Sequence, residues 1–252
     1  MQINLEGTAL LVTGTSRGIG RAIAKQLVES GARVALHCNR NLEEASTLAD
    51  TFANGSQAFQ ADLSEPDQVS SLFDQALASF GKIDGLVNNA GIALSTPLSE
   101  SNEDWLASWQ KTLAVNTTAV GILCRQAVLH FEQHGGGRIV NIASRASFRG
   151  DTPDYIAYAA SKAAVIGITR SIARNYGKQN IKAFDIAPGF TRTDMAQDFM
   201  DQYGEEYALN DIALTKLTEP SDIAPMVAFL LSGMADHATG TTIQMNAGSY
   251  VH

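Results

Sequence analysis

The chain has 252 residues, 45% of them hydrophobic and 17% charged, and a net charge of −8. That length and apolar content suffice for a packed core and exclude a disordered chain or one dependent on disulfides. The acidic balance argues against nucleic acid, whose phosphates need a basic face, and no unbroken apolar run reaches membrane-spanning length, so no membrane partner is expected.

The opening MQINLEG lacks the basic and apolar regions of a signal peptide, so a cytoplasmic location is expected. TALLVT (8–13) is a short apolar run that predicts a strand. A Gly-rich turn follows, then a helix that puts Ile23, Leu27 and Val28 on one face and stops at Gly31. ARVALH (32–37) predicts the second strand, 41–52 a helix, and QAFQAD (57–62) the third strand. Residues 65–81 predict a helix with Pro66 in its first turn and Gly81 beyond its end. IDGLVNN (83–89) is the fourth strand, and one long helical stretch runs from about Asn102 to Gln133. GRIVNIAS (137–144), a helix over 153–176, and IKAFDIAP (181–188) continue the alternation. Residues 193–214 are polar and weakly helical, 219–232 predict a helix, and TTIQMN (241–246) a seventh strand. Short apolar strands separated by helices imply βαβ units, hence an α/β, Rossmann-type, doubly wound, seven-stranded parallel sheet with helices on both faces. No linker or repeat interrupts it, so residues 1–252 are expected to form one domain. Cys38 and Cys124 form neither a disulfide framework nor a metal pattern, and both are expected as reduced core thiols.

Three stretches carry chemistry. TGTSRGIG (13–20) follows a strand and opens a helix, the context in which a Gly-rich turn cradles a pyrophosphate at a helix N-terminus, although a turn that holds nothing has the same look. NNAG (88–91) ends the fourth strand, on the side of the sheet where ligands lie, and also fits a plain turn. In YIAYAASKAA (155–164), Tyr158 and Lys162 stand four apart and share a helical face, whereas Tyr155 is two turns from Lys162. An ammonium near a phenol lowers its pKa toward the range useful for proton transfer. Ser144, at the end of the fifth strand, could hold a carbonyl beside that phenol, with Ser147 as the weaker competitor. Arg145 and Arg149 flank this strand end; they read as solvated loop residues, or as partners of a substrate carboxylate or phosphate.

TGTSRGIG, NNAG, Asn116 in LAVNTTAV, Ser144, YAASK (158–162) and PGFTRTDM (188–195), in this order, make the chain resemble the short-chain dehydrogenase/reductase family from Leu5 onward. The β-ketoacyl-acyl-carrier-protein reductases are the branch most like it, through GRIVNIAS and APGFTRTDM. The resemblance implies hydride transfer between a nicotinamide cofactor and a small-molecule ketone or secondary alcohol. It implies Tyr158 as acid/base, Lys162 as the group that lowers its pKa and holds the nicotinamide ribose, Ser144 polarising the carbonyl, and Asn116 holding a water that links Lys162 to solvent. The implied cofactor contacts are Gly14, Ser16, Arg17, Gly18, Ile19 and Gly20 in the first turn, and Asn39 and Arg40 after the second strand. Asp62 and Leu63 fall at the adenine, then Asn89, Ala90 and Gly91, Tyr158 and Lys162, and Pro188, Gly189, Thr191 and Thr193. A homotetramer, or at least a dimer, and a substrate lid at about 190–214 are implied as well.

Three departures from the family pattern stand out: a Ser144–Tyr158 gap one residue longer than the commonest, Phe184 where many relatives have Asn, and MNAG where they often have DGG. Acyl carrier proteins are acidic, so an acidic chain is an awkward partner for them; sugar or polyol substrates are the alternative within enzymes, and a cofactor-sensing binding protein on the same fold the alternative to one. At the end of the second strand, where NAD-preferring relatives have Asp, this chain has Cys38, followed by Asn39 and Arg40, with Arg17 in the first turn. Two guanidinium groups near a 2′-phosphate favour NADP(H), with NAD(H) as the alternative.

Overall fold

The computed structural model describes residues 3–193 and 204–251. Seven parallel strands form one sheet: β1 (Ala9–Val12), β2 (Arg33–Cys38), β3 (Gln57–Gln60), β4 (Gly85–Asn88), β5 (Gly137–Ile142), β6 (Ile181–Pro188) and β7 (Thr242–Met245). Their spatial order is β3-β2-β1-β4-β5-β6-β7. The winding reverses between β1 and β4, so their carboxyl ends open a crevice of the kind that binds ligands in such sheets.

Apolar residues fill both sides of these strands, as a fully covered parallel sheet requires. Leu10, Val12, Val34, Leu36, Val140 and Phe184 face one core layer under α1 (Gly18–Glu29), α2 (Leu42–Phe52) and the helix Pro220–Leu231. Leu11, Leu86, Ile139 and Ala183 face the other, under α3 (Pro66–Phe80), the helices that span 102–133 and the helix Ile156–Tyr176. Phe184 is fully buried in the first layer, which explains how an apolar ring replaces the Asn common in relatives.

The helix ends follow their caps. Asn41 accepts the Glu44 N–H at the start of α2, and Pro66 and Gly81 bracket α3, Gly81 at φ 76°. Two features differ from the sequence reading. The long stretch 102–133 is α4 (Asn102–Leu113) and α5 (Ala119–Gln133) joined by a widened π turn at Ala114–Thr118. Half of its most apolar window is buried, as in a core helix. The loop after β5 contains one helical turn, α6 (Ala146–Arg149), before α7 (Ile156–Tyr176). Of the weakly helical 193–214, α8 spans Glu205–Asn210 and α9 (Pro220–Leu231) follows; the part of the expected lid at 194–203 lies outside the described residues.

Candidate active site

The first turn is built so that backbone approaches backbone. A Cβ on Gly20 would stand 2.0 Å from the Gly14 carbonyl oxygen and 2.4 Å from the Asn89 amide nitrogen, so only glycine fits there. Gly14 itself lies at φ 70°. The turn is tied to the end of β4: Thr13 Oγ1 accepts the N–H groups of Asn89 and Ala90 at 2.9 and 3.0 Å, and Asn89 Nδ2 donates to the Thr13 and Gly14 carbonyls. Thr13 was not singled out in the sequence, yet it joins the two motifs. Thr193 lies over Gly18, its methyl 3.1 Å from where a Cβ would be, so the loop after β6 meets the first turn. Pro188 ends β6, Gly189 N–H donates to the Met245 carbonyl, and Thr191 Oγ1 donates back to the Gly189 carbonyl.

At the end of β2 Cys38 is buried, while Asn39 and Arg40 after it, and Arg17 in the first turn, are exposed. Ser16 and Ile19 are half-buried, Ile19 against the core. Asp62 Oδ1 accepts from the Ser64 hydroxyl and N–H, and these bonds hold its carboxyl below the usual range. Leu63 is buried in the core.

At the far end of the crevice four side chains converge. The Ser144 hydroxyl, just past β5, accepts the Ala146 N–H at 3.1 Å and interacts with the Tyr158 phenol. Tyr155 precedes α7 in the short turn Pro153–Tyr155, so Tyr158 is the tyrosine that meets the serine. Desolvation raises the phenol's pKa, with Asp151 adding to the rise; the Ser144 bond and the Arg145 charge oppose it. Lys162 Nζ donates to the Ile142 carbonyl at 2.7 Å and lies 6.0 Å from the centre of the Tyr158 ring. The ammonium and the phenol therefore share a face without touching. Burial lowers the Lys162 pKa to about 8, against the attraction of Asp185. A Cβ on Gly91 would stand 3.2 Å from Lys162 Nζ and 3.3 Å from Asn116 Oδ1, so these two groups flank the NNAG backbone. Asn116, in the π turn, bonds Ile92 through both ends of its amide and donates to Ser161 Oγ at 3.0 Å. These bonds account for the widened turn, a feature that recurs at functional sites.

The family model described as Enoyl-(Acyl carrier protein) reductase matches residues 14–250. The 3-oxoacyl-[acyl-carrier-protein] reductase of Staphylococcus aureus (strain Mu50) is 36% identical over 244 residues, 96% of this chain and 97% of that protein. The chain belongs to the short-chain dehydrogenase/reductase family. A short-chain dehydrogenase from Burkholderia cenocepacia, solved in complex with NADP, superposes at TM-score 0.88 with 34% identity, covering 98% of this chain and 99% of that one. The 3-ketoacyl-(acyl-carrier-protein) reductase of Brucella melitensis, complexed with NADH, superposes at 0.88 with 28% identity, covering 98% of this chain and all of the other. The chain is an NAD(P)-dependent oxidoreductase of this family.

Two features of this dehydrogenase/reductase were not visible in its motifs. The first is a polar row across the sheet under α5 and α7. Asn88, Asn141, Asp185 and Thr242 pair in register on neighbouring strands. Asn88 donates to Asn141 Oδ1, Asn141 to Thr169 Oγ1, and Thr169 and Thr242 to the two oxygens of Asp185. Asp185 is fully buried, and desolvation raises its pKa to about 7. The second lies at the rim. Arg145 is not a solvated loop residue: it is 8% exposed, its guanidinium stacks 4.3 Å from the Phe190 ring centre and it pairs with Asp211. Arg149 pairs with the other oxygen of Asp211 at 3.0 Å. A carboxylate of the chain itself, at the end of α8, thus holds both guanidinium groups. Among the described residues no group of three His, Cys, Asp or Glu side chains could hold a metal.

Proposed function

We propose that the enzyme is an NADP(H)-dependent oxidoreductase that reduces a ketone or oxidises a secondary alcohol, with Tyr158 as the acid/base. The observation that carries this reading is the meeting of Ser144 and Tyr158 at one end of a crevice whose other end is the Gly-rich turn. The residues present suit a dinucleotide. The turn has no room for a Cβ at Gly20, it lies at the N-terminus of the twelve-residue α1, and Lys162 Nζ and Asn116 Oδ1 border Gly91. When bound, the cofactor supplies a hydride to the carbonyl carbon, or accepts one from the alcohol carbon.

Ser144 donates a hydrogen bond to the substrate oxygen and fixes it beside the phenol. Tyr158 gives its proton to that oxygen as negative charge develops there, and takes it back in the oxidative direction. Its raised pKa makes the phenol a stable proton store before the reaction, and a positive charge brought near it eases the transfer. By the family resemblance Lys162 takes this role: it follows Tyr158 by one helical turn, and its Nζ, bonded here to the Ile142 carbonyl, would hold the ribose of the bound cofactor. Asn116 orders the backbone at Ile92, and by the family resemblance it would hold a water that links Lys162 to solvent.

NADP(H) over NAD(H) follows from the neutral Cys38 at the end of β2 and from Arg17 and Arg40 exposed beside it. The substrate class that the relatives' names favour is a 3-oxoacyl thioester; sugar or polyol substrates are compatible with the same four residues. A groove of about 730 Å³ between α5 and α7, lined by Val128, Leu129, Ile168, Ile172 and Tyr176 and by none of the site residues, supports self-association as a dimer or homotetramer; a cytoplasmic location is proposed from the sequence alone. The whole chain acts as one domain, with a substrate lid at about 190–214, of which Asp211 is the described residue that pairs with Arg145 and Arg149. The test is a panel of ketones and alcohols followed by nicotinamide absorbance with NADPH and with NADH. Turnover by Tyr158→Phe equal to wild type overturns the reading.

A further inference from the structure

His37, the next-to-last residue of β2, is 1% exposed, and both its ring nitrogens are engaged. Nδ1 accepts the Gly14 N–H at 3.1 Å, and Nε2 faces the Ala61 carbonyl oxygen at 3.0 Å. An amide N–H only donates and a carbonyl only accepts, so the partners fix the tautomer: the proton is on Nε2 and Nδ1 is bare. Burial lowers the ring's pKa, against the Ala61 bond and the Asp62 carboxylate, which favours that neutral form. The backbone of the same residue does parallel work, its carbonyl accepting from the Thr15 N–H at 2.9 Å and the Thr15 hydroxyl at 3.1 Å.

We propose that His37 is a positioning residue for the dinucleotide, a buried clasp that locks the Gly-rich turn to the ends of β2 and β3. The inference deepens the proposed function and rests on its placement of the cofactor at this turn. Three loops that would contact the cofactor meet at this one residue: Gly14 and Thr15 in the first turn, Cys38–Arg40 after β2, and Ala61–Leu63 after β3. The Gly14 N–H points inward at a positive φ and has the imidazole as its acceptor. Without that acceptor a buried donor is left unpaired, and the turn relaxes away from the geometry that aims its remaining N–H groups at a pyrophosphate. The clasp touches neither Tyr158 nor Ser144, so its loss falls on cofactor binding and spares the chemical step.

Two substitutions separate the halves of the clasp. Asparagine in place of His37 puts an amide oxygen where Nδ1 accepts from Gly14; glutamine reaches Ala61 as Nε2 does, but withdraws the acceptor from Gly14. The measurements are NADPH titration by fluorescence, steady-state kinetics on the full-length chain, and thermal melting of each variant. H37Q is expected to raise the Kd and KM for NADPH by about tenfold or more, the usual effect of orphaning a buried donor, with kcat within about twofold of wild type. H37N is expected to bind NADPH within about threefold of wild type, by preserving that one bond. Wild-type affinity in H37Q overturns the proposal, as does an H37N variant that melts like wild type yet binds as weakly as H37Q. If H37Q does not fold, an H37N variant that melts like wild type yet binds NADPH about tenfold or more weakly overturns the proposal. A wild-type chain that binds neither NADPH nor NADH overturns the functional reading, and this inference with it.

Discussion

Replacing Asp185 with Asn should make the protein's stability less dependent on pH. The Asp185 carboxyl is fully buried, between Thr169 on α7 and Thr242 on β7, and desolvation lifts its pKa from 3.8 to about 7. The folded state therefore holds this proton more tightly than the unfolded chain does. Stability from this group is greatest below the unfolded value and is lost as pH rises from there through about 7. Integrated over that window, the loss is on the order of 4 kcal/mol. For a chain of this length that corresponds to roughly 10 °C in melting temperature. The groups facing Asp185 are Lys162 and Arg170 on α7 and Cys124 on α5. Cys124, pushed up to about 12 by burial, stays a neutral thiol throughout. Lys162, with its pKa lowered to about 8, becomes less costly only above that pH, so the scan belongs between pH 5 and roughly pH 8. Asn keeps the shape and one acceptor, and the Thr242 hydroxyl can rotate to accept from its NH₂. Thermal melting followed by circular dichroism should show the Asn variant gaining on wild type as pH rises, with the gap levelling near pH 8. Two melting curves that run parallel across that range would refute the reasoning.

Tyr158→Phe should lose at least a thousandfold in kcat while NADPH titration is nearly unchanged, and Tyr155→Phe should retain most activity; the reverse result would mean the wrong tyrosine has been assigned. Gly20→Ala should fold less stably and lose NADPH binding, because its methyl overlaps the Gly14 carbonyl; a variant that binds as wild type would show that the turn can open at little cost. Arg40→Ala should lower kcat/KM for NADPH by about tenfold and leave that for NADH within about twofold, as expected for one charge-assisted phosphate contact. Asp211→Asn should raise KM for the carbonyl substrate by about tenfold and leave the KM for NADPH unchanged, since it removes the carboxylate that Arg145 and Arg149 share; steady-state kinetics with both substrates varied would show it.

The seven strands were legible because a parallel sheet covered on both faces leaves short apolar runs between amphipathic helices, and Gly and Pro mark most of the joints. Local chemistry fixed these, so Asn41, Pro66 and Gly81 stand at the helix ends where the sequence puts them. The π turn at Ala114–Thr118 could not be read that way. Its width depends on Asn116 reaching Ile92 and Ser161, residues 24 and 45 positions away. The same holds for Arg145 and Arg149, which read as loop arginines until α8 delivers Asp211 from more than sixty positions downstream. Lys162 shows a different limit. Its spacing from Tyr158 places both on one face, but spacing does not say that Nζ is bonded to Ile142 or that desolvation dominates the phenol.

His37 and Asp185 did leave a trace. Each is a polar residue inside an otherwise apolar strand, VALHC and AFDIA, in a sheet whose central strands have no solvent-facing side. Burying an imidazole or a carboxyl there is costly unless a partner meets it, so each residue demands a partner from elsewhere in the fold. The demand is legible in one strand, and the answer lies in others. His37 finds Gly14 and Ala61 because β2 lies between β1 and β3, and Asp185 finds Thr242 through strand register and Thr169 through the helix laid across it. The apolar runs that made the sheet readable also mark the two places where the chain departs from them. One supports the Gly-rich turn and the other faces Lys162.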